Sequence, residues 1–240
     1  MLPKLDVPIY DLTLPSNQKK IKFRPYLVKE EKLLLMALEA SDSEVMLNTV
    51  KQIINNCVID KIDVDDIPIF DLEYFMLNLR ARSAGESLEL QYVCKNNIDT
   101  KTCNNLMQFN VDLLGIQLEK NINHNPKITL TKNIGVMMKY PKLSLMEIFK
   151  NMDSNNPVSA TFDFITNNIE YVYENENIFY AKDNMKDMSA FVENLSSEHF
   201  KKIEQFFDTI PKLKTTIDNK CIKCGFEHKI VLEGLQSFFG

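Results

Sequence analysis

With 240 residues, 45% hydrophobic and 25% charged, the chain has an ordinary globular composition and ample length to build its own core. Its 28 Lys and Arg against 33 Asp and Glu leave a net charge of −5, and the interspersed charges argue against wrapping of nucleic-acid phosphates. No stretch is apolar for long enough to span a bilayer, and Met1-Leu2-Pro3-Lys4-Leu5-Asp6 lacks the apolar core of a secretory signal, so no membrane role is expected.

The first element predicted is a β-hairpin. Residues 9–14 alternate, Pro15-Ser16-Asn17 turns, and Ile21-Lys22-Phe23 returns before Arg24-Pro25 breaks the strand. A helix over Val28 to Ala40 carries Leu34, Leu35 and Leu38 on its apolar side. Ser41-Asp42-Ser43-Glu44 matches the S-x-x-E capping box and opens a second helix running to Cys57, which lies on an apolar stripe with Val50, Ile53 and Ile54. A third begins near Asp71, with Arg80 and Arg82 in its last turn, where cations suit the negative end of the helix dipole.

A strand-rich middle follows: Leu88 to Val93, Met107 to Val111, Ile116 to Leu118, Ile128 to Leu130 and Ile134 to Met138. The last third reads as helical over Leu145 to Met152, Ala160 to Tyr173, Asp187 to Leu195 and Ser197 to Asp208, where Pro211 stops the run. Strands at Thr215 to Ile217 and His228 to Leu232 precede a tail ending Phe238-Phe239-Gly240. The fold class expected is α+β, helices with β-hairpins, as a single domain over 1–240.

Two of those hairpins carry paired cysteines at their tips. Cys94 and Cys103 bracket one loop; Cys221 and Cys224 bracket the other, in Lys220-Cys221-Ile222-Lys223-Cys224-Gly225. Two thiol-tipped hairpins are the layout of a zinc ribbon, where four thiolates close a tetrahedron on one ion. The expectation is a split ribbon, about 86–112 and 213–233, with a mainly helical insertion between. A saturated site of that kind leaves no position for water, so it braces a fold and catalyses nothing. The second pair is a tight C-x-x-C-G knuckle; the first is C-x8-C, with Lys95-Asn96-Asn97-Ile98-Asp99-Thr100 read as an insertion into the loop. A chain without an export signal meets a reducing compartment, which favours metal over disulfides. Disulfides within each pair, or unpartnered thiols, remain the alternatives. His228 could replace one cysteine as ligand, although its alternating strand favours an ordinary surface histidine.

Catalytic patterns are missing. There is no phosphate loop, no G-x-G-x-x-G, no H-E-x-x-H and no G-x-S-x-G, and His124, His199 and His228 belong to separate elements. The zinc-deaminase pattern fails too, with Lys220 in place of proline and no H-x-E. No enzymatic activity and no small-molecule substrate are expected. Asp60, Asp63, Asp65 and Asp66 lack the glycine and terminal glutamate of a calcium loop and read as a solvated turn. Arg80, Arg82 and Glu86 form either ion pairs at a helix end or a grip on a partner carboxylate. Phe238 and Phe239 either anchor into a neighbour or pack beside their own hairpin.

Leu2-Pro3…Pro8-Ile9-Tyr10…Leu14-Pro15-Ser16 and the block Lys20-Ile21-Lys22-Phe23-Arg24-Pro25-Tyr26-Leu27-Val28-Lys29-Glu30-Glu31-Lys32 resemble the baseplate hub family of T-even-like contractile-tailed bacteriophages. Leu79-Arg80-Ala81-Arg82-Ser83-x-Gly85-Glu86 and the ending C-x-x-C-G-x-x-H with Leu-x-Gly-Leu-x-x-Phe-Phe are similar to the same family. The resemblance implies a hub subunit or hub-assembly factor that binds other baseplate hub and tail proteins, in the virion baseplate or in the host cytoplasm during assembly. It supplies no catalytic residues. The alternative from another class is a phage zinc-ribbon module that binds nucleic acid or host polymerase.

Overall fold

The protein is described by a computed structural model, covering residues 5–40, 42–99, 101–144, 157–234 and 236–239. The expected helix at Leu145 to Met152 lies outside the described residues. The chain forms two compact units. The first comprises Met1–Val64, Phe70–Glu119 and Lys212–Gly240, and the second Asp65–Ile69 and Lys120–Pro211.

The first unit opens with the hairpin β1 (Tyr10–Thr13) and β2 (Lys20–Phe23), registered with Leu12 opposite Ile21. Leu12, Ile21 and Phe23 are buried, and the Phe23 ring meets Phe75 edge-on at 5.3 Å. Ser16 in the turn caps the buried Asp71 carboxylate, donating its N–H to Oδ1 at 3.0 Å and its hydroxyl to Oδ2. Helices α1 (Val28–Ala40), α2 (Ser43–Cys57) and α3 (Ile69–Ala84) follow. Asp42 is the cap of α2, its carboxylate accepting from the N–H of Glu44 and Val45; Ser41, which the S-x-x-E pattern nominated, lies outside the described residues.

The Arg24 to Glu30 block is a locked corner. Glu30 is fully buried, yet its carboxylate accepts from the Leu27 N–H at 2.8 Å and faces the Arg24 guanidinium at 3.0 Å. Burial by itself would raise its pKa, but the Arg24 and Leu27 donors outweigh that and hold it below the ordinary glutamate range. The Tyr26 N–H donates to Ser83 Oγ, tying this corner to α3.

Beyond α3 lie β3 (Ser87–Val93), the short β4 (Asn97–Ile98) and β5 (Lys101–Thr102), β6 (Leu106–Asp112) and β7 (Leu118–Glu119). The long hairpin β3–β6 pairs from Ser87↔Asp112 to Val93↔Leu106.

The second unit is built on an antiparallel sheet in the order β11-β10-β9-β8. Its strands are β8 (Lys127–Thr129), β9 (Ile134–Met138), β10 (Ile169–Glu174) and β11 (Asn177–Tyr180). Helices α4 (Pro157–Asn167), α5 (Met185–Glu193) and α6 (Ser197–Thr209) complete it. Val136, Ile165, Ile169, Val192, Ile203 and Phe206 centre its core. The segment expected to be mainly helical therefore carries a full sheet beside its helices. The helix expected over Ala160 to Tyr173 ends at Asn167: the Asn168 N–H turns back to Ile165 O, and Ile169-Glu170-Tyr171-Val172-Tyr173 continues as β10. β-Branched and aromatic residues gain more from a sheet partner than from an extended helix.

In that sheet Gly135 stands directly opposite Tyr173, and the Tyr173 hydroxyl lies 3.4 Å from Thr129 Oγ1 on β8. The tyrosine thus lies across the bare glycine. A Cβ at 135 would stand 2.2 Å from the Tyr173 hydroxyl and 2.4 Å from the Ile128 carbonyl oxygen.

The last elements belong to the first unit: β12 (Lys212–Lys220), β13 (Glu227–Glu233) and α7 (Gln236–Phe239). β12 pairs β13 on one side and β7 on the other, with Leu213 opposite Leu118. The strands flanking the 120–211 excursion are therefore neighbours. The observed class is α+β with antiparallel hairpins, as expected.

Two outcomes follow from these contacts. Gly135→Ala is expected to destabilise by about 3 kcal/mol in urea unfolding, because the Ile128 backbone oxygen has nowhere to move; an unchanged midpoint would contradict it. Glu30→Gln is expected to lose about 1.5–3 kcal/mol at pH 7. Because the folded carboxyl is held low, its contribution is present above the unfolded value of about 4.3 and fades as pH falls through the lower folded value, so the gap to wild type should close on acidification.

Candidate metal centre

The two cysteine loops are the same knuckle built twice. In the second, the Cys221 N–H donates to Phe226 O at 2.8 Å and the Gly225 N–H to Cys221 O at 2.8 Å, with Gly225 at φ 72. In the first, the Cys94 N–H donates to Asn105 O at 2.8 Å and the Asn104 N–H to Cys94 O at 3.0 Å, with Asn104 at φ 51. Cys94 thus matches Cys221, Cys103 matches Cys224, and Asn104 takes the left-handed position of Gly225, which asparagine tolerates better than most residues. Eight residues separate the first pair and two the second, and the surplus of six equals 97–102, the span of the β4–β5 hairpin. The Cys103 N–H donates to Asn96 O at 2.8 Å and closes its base.

The four sulfurs converge from positions up to 130 residues apart. Their Sγ atoms all lie within 4.8 Å of one another. Cys94 and Cys224 are 3.6 Å apart, and Cys103 and Cys221 3.8 Å. Four thiolates on zinc at about 2.3 Å define a tetrahedron with an edge of about 3.8 Å. A disulfide needs about 2.05 Å, and all five cysteines are free thiols. This donor set fits a tetrahedral, thiolate-preferring ion. Cys94, Cys103 and Cys221 are buried and Cys224 is half-buried; Met107 and Tyr92 cover the cluster.

Donors surround the sulfurs. Burial disfavours the Cys221 thiolate, but the N–H groups of Cys224 and Lys223, with the neighbouring thiols, bring its pKa down to about 6. Burial pushes Cys94 up to about 12 against the pull of the Asn96 N–H, and raises Cys103 against that of Asn105. A bound cation would displace the protons of the set. Asn96 Nδ2 lies 3.6 Å from Cys224 Sγ, and Lys223 Nζ donates to Cys103 O at 2.9 Å, bracing one knuckle against the other.

His228 is the residue the sequence reading misplaced. It is 9% exposed, and its Nε2 lies 3.1 Å from Cys94 Sγ. It shares a face with the buried Ile230 and Leu232, two and four residues on, so strand alternation itself puts it inside. Cys57 is a buried thiol apart from the cluster, raised by burial to about 11.

The other nominated residues do not join the centre. Arg82 pairs with Glu86 at 2.5 Å and lies over the Tyr10 ring at 4.9 Å, while Arg80 is half-buried on α3. Phe238 is fully buried in α7, which packs on β13, so of its two readings it takes the packing one; Phe239 is the last residue of α7. Asp66 of the acidic loop pairs with Lys142, and Asp60 accepts the Lys22 N–H at 2.5 Å.

The family described as T4 bacteriophage base plate protein matches residues 7–240. The chain belongs to this family. Comparison with curated proteins and with solved structures finds no match. Membership in the base plate family makes this a T4-like phage baseplate protein, a structural class that interacts with other tail proteins. Among the described residues no helix is long and apolar enough to cross a membrane.

Iodoacetamide labelling of the reduced, chelator-treated protein at pH 7.5 is expected to modify Cys224 first and to leave Cys57 untouched until urea is added. Equal rates at the two thiols would contradict the burial of Cys57 and its raised pKa.

Proposed function

We propose that the protein is a structural or assembly component of the central hub of the tail baseplate, braced by one zinc ion on Cys94, Cys103, Cys221 and Cys224. The observation that carries the first part is the match over 7–240, together with the resemblance at the Arg24-Pro25 block, the 79–86 segment and the C-terminal knuckle. The observation that carries the second is the gathering of four free thiols at tetrahedral spacing inside a shell of N–H donors. The act is protein–protein binding. Such a protein favours an assembly-competent partner state only by its differential affinity for that state.

Exposed apolar side chains on the ribbon suit this role. Val93 and Leu106 are cross-strand neighbours, both exposed, and Ile222 at the second knuckle is 94% exposed. A rigid ribbon presents such side chains with little ordering entropy left to lose on docking. The Arg82–Glu86 pair, lying at the helix end of the 79–86 segment, is a further candidate contact. The net charge of −5 weighs against the nucleic-acid reading.

Elemental analysis of purified protein is expected to find about one zinc per chain, with Cys224→Ser lowering both zinc content and melting temperature. A chelator-stripped protein that melts at the original temperature would contradict the brace. In infected cells, deletion is expected to remove hub intermediates, and the tagged protein to co-purify with other hub proteins. Complete baseplates without it would end the hub assignment.

A further inference from the structure

A centre of four thiolates on a divalent cation carries two net negative charges, and here three of the four sulfurs belong to buried residues. Charge in such a place is tolerable only where hydrogen-bond donors replace water. Cys221 has the N–H groups of Lys223 and Cys224, Cys103 that of Asn105, and Cys224 the Asn96 side-chain amide. Cys94, fully buried, has the Asn96 N–H and one further neighbour, His228.

We propose that His228 is a positioning residue of this centre, donating its Nε2–H to the Cys94 thiolate, and is not itself a ligand. The inference rests on the four-thiolate reading above. Two observations separate donor from ligand. A sulfur at about 2.3 Å and an imidazole nitrogen at about 2.05 Å on one tetrahedral ion stand about 3.5 Å apart, whereas Nε2 lies 3.1 Å from Cys94 Sγ. The set that gathers within 4.8 Å also consists of the four cysteines without His228. The ring is held for the task. Tyr92 and Phe226 meet it edge-on at 5.5 and 4.8 Å, and its place on the inner face of β13 aims it at the first knuckle.

The hydrogen bond joins β13, which follows the second knuckle, to the first cysteine of the first knuckle. It fixes the Cys94 side chain before an ion arrives and compensates its charge afterwards. Partners of this kind govern metal affinity by about 10–100-fold.

The test uses the full-length chain as wild type, His228→Gln and His228→Phe, loaded with zinc and competed with a chelator of known affinity. Glutamine keeps an N–H donor, whereas phenylalanine keeps the ring without one. All three are expected to hold one zinc per chain, with His228→Phe about 10–100-fold weaker and His228→Gln within about threefold of wild type. The cobalt(II) forms of all three should share the same four-thiolate absorption bands. In nitrogen-15 spectra of the zinc-loaded wild type, His228 Nε2 should carry a proton, a readout that stands even if His228→Phe fails to fold. Equal zinc affinity in His228→Phe, an unprotonated Nε2, or cobalt bands showing a nitrogen ligand in wild type alone would each overturn the proposal. A wild type that takes up no metal would remove the four-thiolate centre itself, and this inference with it.

Discussion

Four sulfur atoms from two hairpins more than a hundred residues apart meet within a few ångströms, and the first unit is organised around that meeting. Each knuckle turns its chain through the same pair of backbone hydrogen bonds and the same left-handed residue, supplied once by Gly225 and once by Asn104. Burial resists ionisation at Cys94 and Cys103 and by itself would keep them as neutral thiols. The N–H groups facing the sulfurs reverse that logic. They suit thiolates, and four thiolates at this spacing could hold a metal ion.

The centre also explains how a long excursion is accommodated. The chain leaves the first unit after Glu119 and returns at Lys212, and β7 and β12 pair at the exit and re-entry. Lys223 donates to the Cys103 carbonyl, so the returning hairpin is tied to the earlier one by side chain and sulfur alike. Entropy lost in closing so long a loop grows only slowly with its length, which is why about ninety residues can be inserted between the halves of a small ribbon. The second unit has its own sheet and core, with helices α4 to α6 packed around Val136, Ile169 and Ile203.

A base plate protein must present surfaces that last through assembly, and this chain carries its rigidity in a few buried polar locks. The Asp71 carboxylate with Ser16 and the thiol cluster join elements distant in sequence, while the Glu30 carboxylate with Arg24 and Leu27 locks a local corner. Two of the locks fall within the segments that resemble the phage hub family, Arg24 to Glu30 and the C-terminal knuckle. The resemblance in those segments thus has a physical content: they hold corners of the fold.

Local pattern in the chain was enough to determine the α+β class, the span of α1, the end of α2 at Cys57, strand β9, and the pairing of thiols at hairpin tips, since periodicity and turn residues act within a few positions. It was enough also to read an insertion into the first loop, placed over 95–100, whereas the β4–β5 hairpin occupies 97–102. Tertiary structure alone decided that 169–174 is strand, because the preference of Ile169, Val172 and Tyr173 depends on partners in β9 and β11. It decided that Phe238 packs inward, that Asn96 and His228 face the sulfurs, and that Lys223 reaches the Cys103 carbonyl. Such roles depend on distances between elements, and distance across a fold is set by packing, to which no short window of residues has access.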